Sequence, residues 1–215
     1  MSTDTPEFWN EMWADIEDCG SGSDAILADQ IEHLTPGRAL DMGCGTGGNA
    51  IWLAKQGWQV TAVDHSEVAI EKGKRLAAEE EVNVEFILAA ASTYRPMGHY
   101  HLTTSFYIQM FPQERINMLA QMSKALAPGG TLLFVSHDKS GPPIGWTEED
   151  LLSLTTPEEI VAELPDLQIE RAFVLDDDQS GGHASHMRQA GAISETHSAH
   201  DSHGASSTVV RAVRP

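Results

Sequence analysis

The stretch that decides the fold is Arg38-Ala-Leu-Asp-Met-Gly-Cys-Gly-Thr-Gly-Gly-Asn-Ala-Ile-Trp-Leu53, where a short apolar run breaks into a glycine-rich turn and resumes as a helix. Glycine has no Cβ, so a ligand can lie directly against the backbone of such a turn. The amide groups at the start of the following helix face the same ligand. A strand, a glycine turn and a helix in this order are typical of the first crossover of a nucleotide-binding α/β sheet.

The residues around the turn indicate which nucleotide it suits. The glycines at 43, 45 and 48 also match the spacing of a dinucleotide-binding turn, but Asp41 lies two residues before the first of them. A carboxylate there repels a diphosphate and attracts an ammonium or sulfonium group. S-adenosylmethionine carries both cations and no phosphate. Asp64 ends the predicted strand 59–63 about 20 residues after the turn, where a carboxylate can accept hydrogen bonds from ribose hydroxyls.

Two motifs resemble the class I S-adenosylmethionine-dependent methyltransferases. Asp41-Met-Gly-Cys-Gly-Thr-Gly47 is similar to their first motif, an acidic residue followed by G-x-G-x-G, and Leu126-Ala-Pro-Gly-Gly130 is similar to the corner before their fifth strand. Within the family, the segments 43–57 and 105–111 look most like small bacterial enzymes of the tellurite-resistance and thiopurine type. The resemblance implies S-adenosyl-L-methionine as cofactor, S-adenosyl-L-homocysteine as product, and a small acceptor such as a soft chalcogen or thiol nucleophile.

The resemblance also implies the architecture. We expect an α/β fold with a doubly wound, mostly parallel seven-stranded sheet whose last strand is reversed. Residues 1–215 form a single methyltransferase domain in this interpretation. Aromatic and aliphatic side chains recur at helical spacing within residues 1–34, and the resemblance implies that this N-terminal helical segment is a lid over the cofactor. Residues 176–206 are predicted to be a flexible, histidine-rich insertion in the final hairpin, between strands at 167–175 and 207–213.

The predicted site has a cofactor part and an acceptor part. The residues predicted to bind the cofactor are Trp9, Trp13, Asp41, Gly43, Cys44, Gly45, Asn49, Asp64, His65, Ala90, Ala91 and Ser105. Those predicted to bind the acceptor lie at or just beyond the ends of the fourth and fifth strands, and are Tyr107, Gln109 and His137. The acidic residue that the family usually has after its third strand is replaced here by alanines. We assign no catalytic residue, because methyl transfer depends on alignment in a dry site more than on an acid or base.

Composition limits the partners. The chain has 32 acidic against 13 basic residues and a formal charge of −19. This argues against binding nucleic acid or an anionic membrane surface, so we expect a small-molecule substrate. Two cysteines make no disulfide framework, and neither an export signal nor an apolar run long enough to span a bilayer is visible. We therefore predict a cytoplasmic protein, with no particular oligomeric state indicated.

Two other interpretations remain open at this stage. An NAD-dependent oxidoreductase begins with the same strand, turn and helix, although Asp41 disfavours it. A non-catalytic ligand- or metal-binding protein on the same fold would use the histidines of His183-x-x-His186 and His197-x-x-His200-x-x-His203. Because no cysteine or regular element accompanies these histidines, we expect a flexible acidic loop there and no metal site.

Overall fold

A computed structural model describes residues 5–16, 22–176 and 205–215 of the chain. Within these residues, seven strands form one sheet. The strands are β1 (Arg38–Met42), β2 (Gln59–Asp64), β3 (Val84–Leu88), β4 (Tyr100–Phe106), β5 (Leu126–His137), β6 (Gln168–Leu175) and β7 (Ser207–Val213). Their order across the sheet is β3-β2-β1-β4-β5-β7-β6.

Six α-helices accompany the sheet in the described residues. They are α1 (Pro6–Asp15), α2 (Ala25–Ile31), α3 (Gly48–Lys55), α4 (Glu67–Glu79), α5 (Pro112–Ala125) and α6 (Pro157–Ala162). A short 3-10 helix, Asp150–Ser153, precedes α6. No helix among the described residues combines the length and the apolar composition that crossing a bilayer requires.

The expected topology is confirmed. The first five strands pair in parallel, and β7 lies antiparallel between β5 and β6. The strand order changes direction between β1 and β4, the first and fourth strands of the chain. Ligands of open α/β sheets bind beyond the carboxyl ends of the strands at such a switch point. The fold therefore directs attention to the ends of β1, β2 and β4.

Two apolar layers hold the sheet from its two faces. Successive residues of a strand point to opposite faces, so Ala39 packs on one layer and Leu40 on the other. The layer containing Leu40 includes Met118 and Leu119 of α5, and the layer containing Ala39 includes residues of α2 and α3. Both faces of β1 are thus buried, which explains why the sequence that leads into the glycine turn is almost continuously apolar.

Local signals set several helix starts. The Ser66 hydroxyl accepts a hydrogen bond from the Ala69 amide and caps α4. Thr156 forms a capping box with Glu159 before α6, with Pro157 in the first turn as expected. Helix α5 begins at Pro112, because proline is well suited to a first helical position.

Candidate active site

The glycine turn at the carboxyl end of β1 forms a cradle with no side chain in it. Gly43, Gly45 and Gly47 have φ of 74°, 53° and 79°, in the left-handed region that glycine tolerates best. A Cβ on Gly43 would lie 2.4 Å from Cδ1 of Ile108, and a Cβ on Gly45 would lie 2.9 Å from Cζ2 of Trp13. Backbone conformation and space therefore both require glycine at the first two positions.

The cradle is one wall of a cavity of about 380 Å³, a size usual for small-molecule sites. Helix α1, the turns after β1 to β4 and the end of β5 form the remaining walls. The predicted residues that line the cavity are Trp9, Trp13, Asp41, Gly43, Cys44, Gly45, Asn49, Asp64, His65, Ala90, Ala91, Tyr107, Gln109 and His137.

Asp64 is held in place by the backbone. Its Oδ2 accepts a hydrogen bond from the Gly45 amide and its Oδ1 accepts one from the Ser66 amide, both at 2.8 Å. Each carboxylate oxygen can accept a further hydrogen bond. The carboxylate is therefore fixed between the glycine turn and the start of α4, with acceptor capacity left for a ligand in the cavity.

Asp41 is nearly inaccessible to solvent, with 2% of its surface exposed. Burial raises the pKa of its carboxyl from 3.8 to about 6, against the opposing effect of a hydrogen bond from the Thr104 hydroxyl at 2.8 Å, and the nearby charge of Asp64 raises it further. At pH 7 Asp41 still carries its charge in most molecules. The cavity thus contains a desolvated anion, which favours a cation beside it.

The surroundings of two other predicted residues, Asn49 and Cys44, indicate structural roles. The Asn49 side-chain oxygen accepts a hydrogen bond from the Asp24 amide at 2.8 Å, and so joins the start of α2 to the first turn of α3. Burial raises the pKa of the Cys44 thiol well above its usual value. Cys44 is therefore a thiol at neutral pH and fills space beside the turn.

Helix α1 covers the cavity and is fixed to α4. Trp9 and Trp13 line the cavity from this side. The Asn10 side-chain oxygen accepts hydrogen bonds from the Ser66 hydroxyl at 2.7 Å and from the Val68 amide at 3.2 Å. The Lys72 ammonium donates to the Trp13 carbonyl near the end of α1. These contacts hold the Trp13 ring directly over Gly45.

The opposite end of the cavity combines aromatic and polar groups. Tyr107 follows β4 with φ of 52°, an uncommon conformation for a residue with a side chain, and its hydroxyl lies 3.0 Å from the Ser207 hydroxyl. The His137 ring lies 4.9 Å from the Tyr107 ring and 5.0 Å from the Trp146 ring, measured between centroids. Burial lowers the pKa of His137 to about 4, so its imidazole is neutral at pH 7.

Ser105 is the predicted site residue that does not line the cavity. It is fully buried in β4, and its hydroxyl points toward Sδ of Met118 in α5 at 3.8 Å. The sequence analysis also missed several lining residues, namely Pro6, Met12, Gly22, Asp24, Thr46, Gly48, Ser92, Phe106, Ile108, Met110 and Glu114. Glu114 had a detectable signal, since it is the first acidic residue after β4 and lies in the first turn of α5.

Comparison with known proteins shows what the segment containing the cradle is similar to. Residues 39–130 match the model of a family described as a methyltransferase domain. The probable S-adenosyl-L-methionine-dependent methyltransferase TehB of Haemophilus influenzae is 28% identical over 112 residues, which are 51% of this chain and 39% of that protein. The predicted resemblance to the class I S-adenosylmethionine-dependent methyltransferases, and to TehB-type enzymes among them, is confirmed.

Two further relatives show the range of this methyltransferase family. A probable thiol methyltransferase 2 of Arabidopsis thaliana is 29% identical over 155 residues, 66% of this chain and 68% of that protein. A ribosomal RNA small subunit methyltransferase C of Alcanivorax borkumensis is 54% identical over 120 residues, 53% of this chain and 36% of that protein. The chain spans 36% to 39% of the length of the bacterial relatives that it matches first.

Solved structures confirm the methyltransferase fold. The crystal structure of TehB from Haemophilus influenzae superposes with a TM-score of 0.68 at 16% identity, covering 90% of this chain and 63% of that one. Phosphoethanolamine N-methyltransferase 2 of Haemonchus contortus, in complex with S-adenosyl-L-methionine, gives a TM-score of 0.70 at 15% identity, covering 100% and 58%.

The described part of the chain contains no group of three or more histidine, cysteine or acidic side chains arranged to hold a metal ion. The histidines predicted to lie in a flexible insertion, His183 to His203, are outside the described residues.

Proposed function

We propose that the protein transfers the methyl group of S-adenosyl-L-methionine to a small acceptor with a soft nucleophilic atom, a thiol or an organic chalcogen. The observation that carries the proposal is the pair of carboxylates beside the cradle. Asp64 is fixed by two backbone amides, and Asp41 is buried with its charge largely retained at neutral pH. An anion in this position opposes a diphosphate and stabilises a cationic ligand.

The cavity fits this cofactor by its chemistry. Asp64 would accept hydrogen bonds from the ribose hydroxyls, and Asp41 would face the positively charged part. Ala90 and Ala91 line the cavity where the adenine would lie. They replace the acidic residue that the family usually has after its third strand, so the adenine would contact small apolar side chains there. When bound, the cofactor supplies an electrophilic methyl group, to which the acceptor's lone pair bonds while the electrons of the breaking bond return to the sulfonium sulfur.

The acceptor end needs only to position the nucleophile and exclude water. Tyr107, Gln109 and His137 are the proposed acceptor-binding residues. His137 is neutral at pH 7 and stacks among aromatic rings, so it offers a polar contact without a charge. A thiol acceptor loses its proton to solvent as the methyl group replaces it. The similarity to TehB and to a thiol methyltransferase supports a soft acceptor.

We further propose that the N-terminal helical segment within 1–34 is the lid of a single methyltransferase domain. Helix α1 supplies Trp9 and Trp13 to the cavity, and a cation beside an aromatic face gains roughly 0.5 to 2 kcal/mol. We also propose a small-molecule acceptor, since the formal charge of −19 opposes binding to a phosphate backbone. A cytoplasmic location remains our proposal, as the sequence predicts.

Calorimetry tests the cofactor. We expect S-adenosylmethionine and S-adenosylhomocysteine to bind with one site, and NAD⁺ not to bind. Asp64→Ala should weaken binding, whereas Asp166→Asn, which removes an exposed charge, should not.

Methyl transfer is then measured as the appearance of S-adenosylhomocysteine with a panel of thiols and selenols. Binding of NAD⁺ in place of the adenosyl compounds would refute the proposal, and so would cofactor binding without methylation of any soft acceptor.

A further inference from the structure

The described residues that line the cavity carry negative but no positive side-chain charge. Four of them are acidic, namely Asp24, Asp41, Asp64 and Glu114, and none is lysine or arginine. Asp24 caps α2 through the Ile26 amide at 2.8 Å, while Asp41 and Asp64 lie at the cradle. Glu114 lies in the first turn of α5, shortly after Tyr107 and Gln109, which follow β4.

Glu114 has no positive partner to offset its charge in the described structure. Its Oε2 is buried and makes no hydrogen bond to any described residue. The neighbouring cation, Arg115, points to Glu163 instead, with Nη2 to Oε1 at 2.7 Å and Nε to Oε2 at 3.0 Å. No described cation therefore pairs with Glu114, which lines the same cavity as Tyr107 and Gln109.

An acceptor with its own negative charge would enter against this field. At the effective dielectric constant of a partly buried site, a negative charge about 8 Å from the acceptor lowers the affinity for an anionic acceptor by roughly tenfold or more. An acceptor that carries a positive charge would instead be stabilised by the same field, which raises its affinity by a similar factor.

We infer that the acceptor enters this site as an uncharged or ammonium-bearing molecule and that Glu114 determines this specificity by excluding anions. The inference rests on the proposed methyl transfer and narrows its acceptor. A soft nucleophile would arrive as a neutral thiol or organic chalcogenol, whose S–H or Se–H hydrogen leaves as a proton when the methyl group takes its place. Oxyanions, carboxylates and phosphate esters are excluded as acceptors.

Three thiols of equal length test the inference, namely 2-aminoethanethiol, 2-mercaptoethanol and mercaptoacetate, which carry a positive, no and a negative charge beside the thiol. We expect the wild-type protein to methylate the first two at least tenfold better in kcat/KM than mercaptoacetate. Glu114→Gln should raise kcat/KM for mercaptoacetate by about tenfold, lower it for 2-aminoethanethiol, and change it for 2-mercaptoethanol less than for either charged thiol. Comparing each thiol with itself across the variants cancels the differences in intrinsic thiol reactivity.

A binding measurement separates this inference from the proposed function. S-adenosylhomocysteine affinity, followed by calorimetry, should be nearly the same in wild type, Glu114→Gln and the exposed control Glu158→Gln. If Glu158→Gln also lost the discrimination between the charged thiols, the effect would come from the net charge of the protein and not from Glu114, and the inference would be overturned. Methylation of all three thiols at equal rates, or an unchanged ratio in Glu114→Gln, would overturn it while leaving methyl transfer intact. Cofactor binding with no thiol methylated would overturn both, and absent cofactor binding would refute the proposed function first.

Discussion

Replacing Asp41 with asparagine should stabilise the free protein and weaken cofactor binding at the same time. The wild-type carboxyl is buried, and burial raises its pKa from 3.8 to about 6. A raised carboxyl pKa means that the fold holds the proton more tightly than the unfolded chain does. Its contribution to stability is therefore complete below pH 3.8 and is lost as the pH rises through about 6.

The magnitude follows from the same pKa values. Each unit of difference between folded and unfolded states corresponds to about 1.4 kcal/mol, so ionised Asp41 lowers the free energy of unfolding by about 3 kcal/mol above pH 7. Asparagine has nearly the same shape and no charge, and its oxygen can keep the hydrogen bond from the Thr104 hydroxyl. Because a buried amide is itself somewhat unfavourable, we expect Asp41→Asn to gain about 1 to 3 kcal/mol at pH 8.

Urea denaturation at several pH values measures this gain. It should shrink by roughly half between pH 8 and pH 5, since wild-type Asp41 takes up its proton over that range. Calorimetry on the same samples should show S-adenosylmethionine binding about tenfold to a hundredfold more weakly at pH 7.5, the loss of a charge-assisted contact. Asp166→Asn should leave stability and affinity nearly unchanged. A destabilised Asp41→Asn protein at pH 8, or one that binds the cofactor more tightly, would refute the reasoning.

Three other changes test the structure. Asp64→Ala should weaken S-adenosylmethionine binding by about 1 to 3 kcal/mol, and unchanged affinity in calorimetry would place the ribose elsewhere. Gly43→Ala should destabilise the fold by about 1 to 3 kcal/mol in urea, because φ is 74° and the new Cβ meets Ile108; wild-type stability would show that the turn relaxes freely. Glu163→Gln should lower the free energy of unfolding by about 3 to 5 kcal/mol, because it breaks a buried ion pair with Arg115. Its control is the exposed pair of Lys74 and Glu71, where Glu71→Gln should change stability by less than about 1 kcal/mol.

Much of the sheet could be predicted because its signals are local. Strand β1, the glycine turn and α3 follow from an apolar run, positive-φ glycines and a helical pattern that adjoin in sequence. The position of Asp64 could be predicted because it ends β2, and β2 pairs in parallel with β1, which leads into the glycine turn. The reversed β7 came from the family resemblance, and the pairing with β5 and β6 confirms it.

The missing parts of the cavity depend on where chain segments turn in space. Ser105 lies inside β4, and the alternation of the strand points it to the sheet face that α5 covers, where its hydroxyl approaches Met118. The chain changes direction only after β4, at Tyr107, whose backbone is left-handed. No local sequence pattern predicts a left-handed conformation for a tyrosine. Asn49 likewise accepts its hydrogen bond from an amide 25 residues earlier in the chain, a contact that only the packed structure brings together.

The most direct test of the central claim is a crystal structure of the protein with S-adenosylhomocysteine. We expect the adenosine in the cavity, its ribose hydroxyls on the Asp64 carboxylate, and its amino-acid end against the glycine turn beside Asp41. Density for a diphosphate against residues 43–48, or an adenosine bound away from both carboxylates, would contradict it.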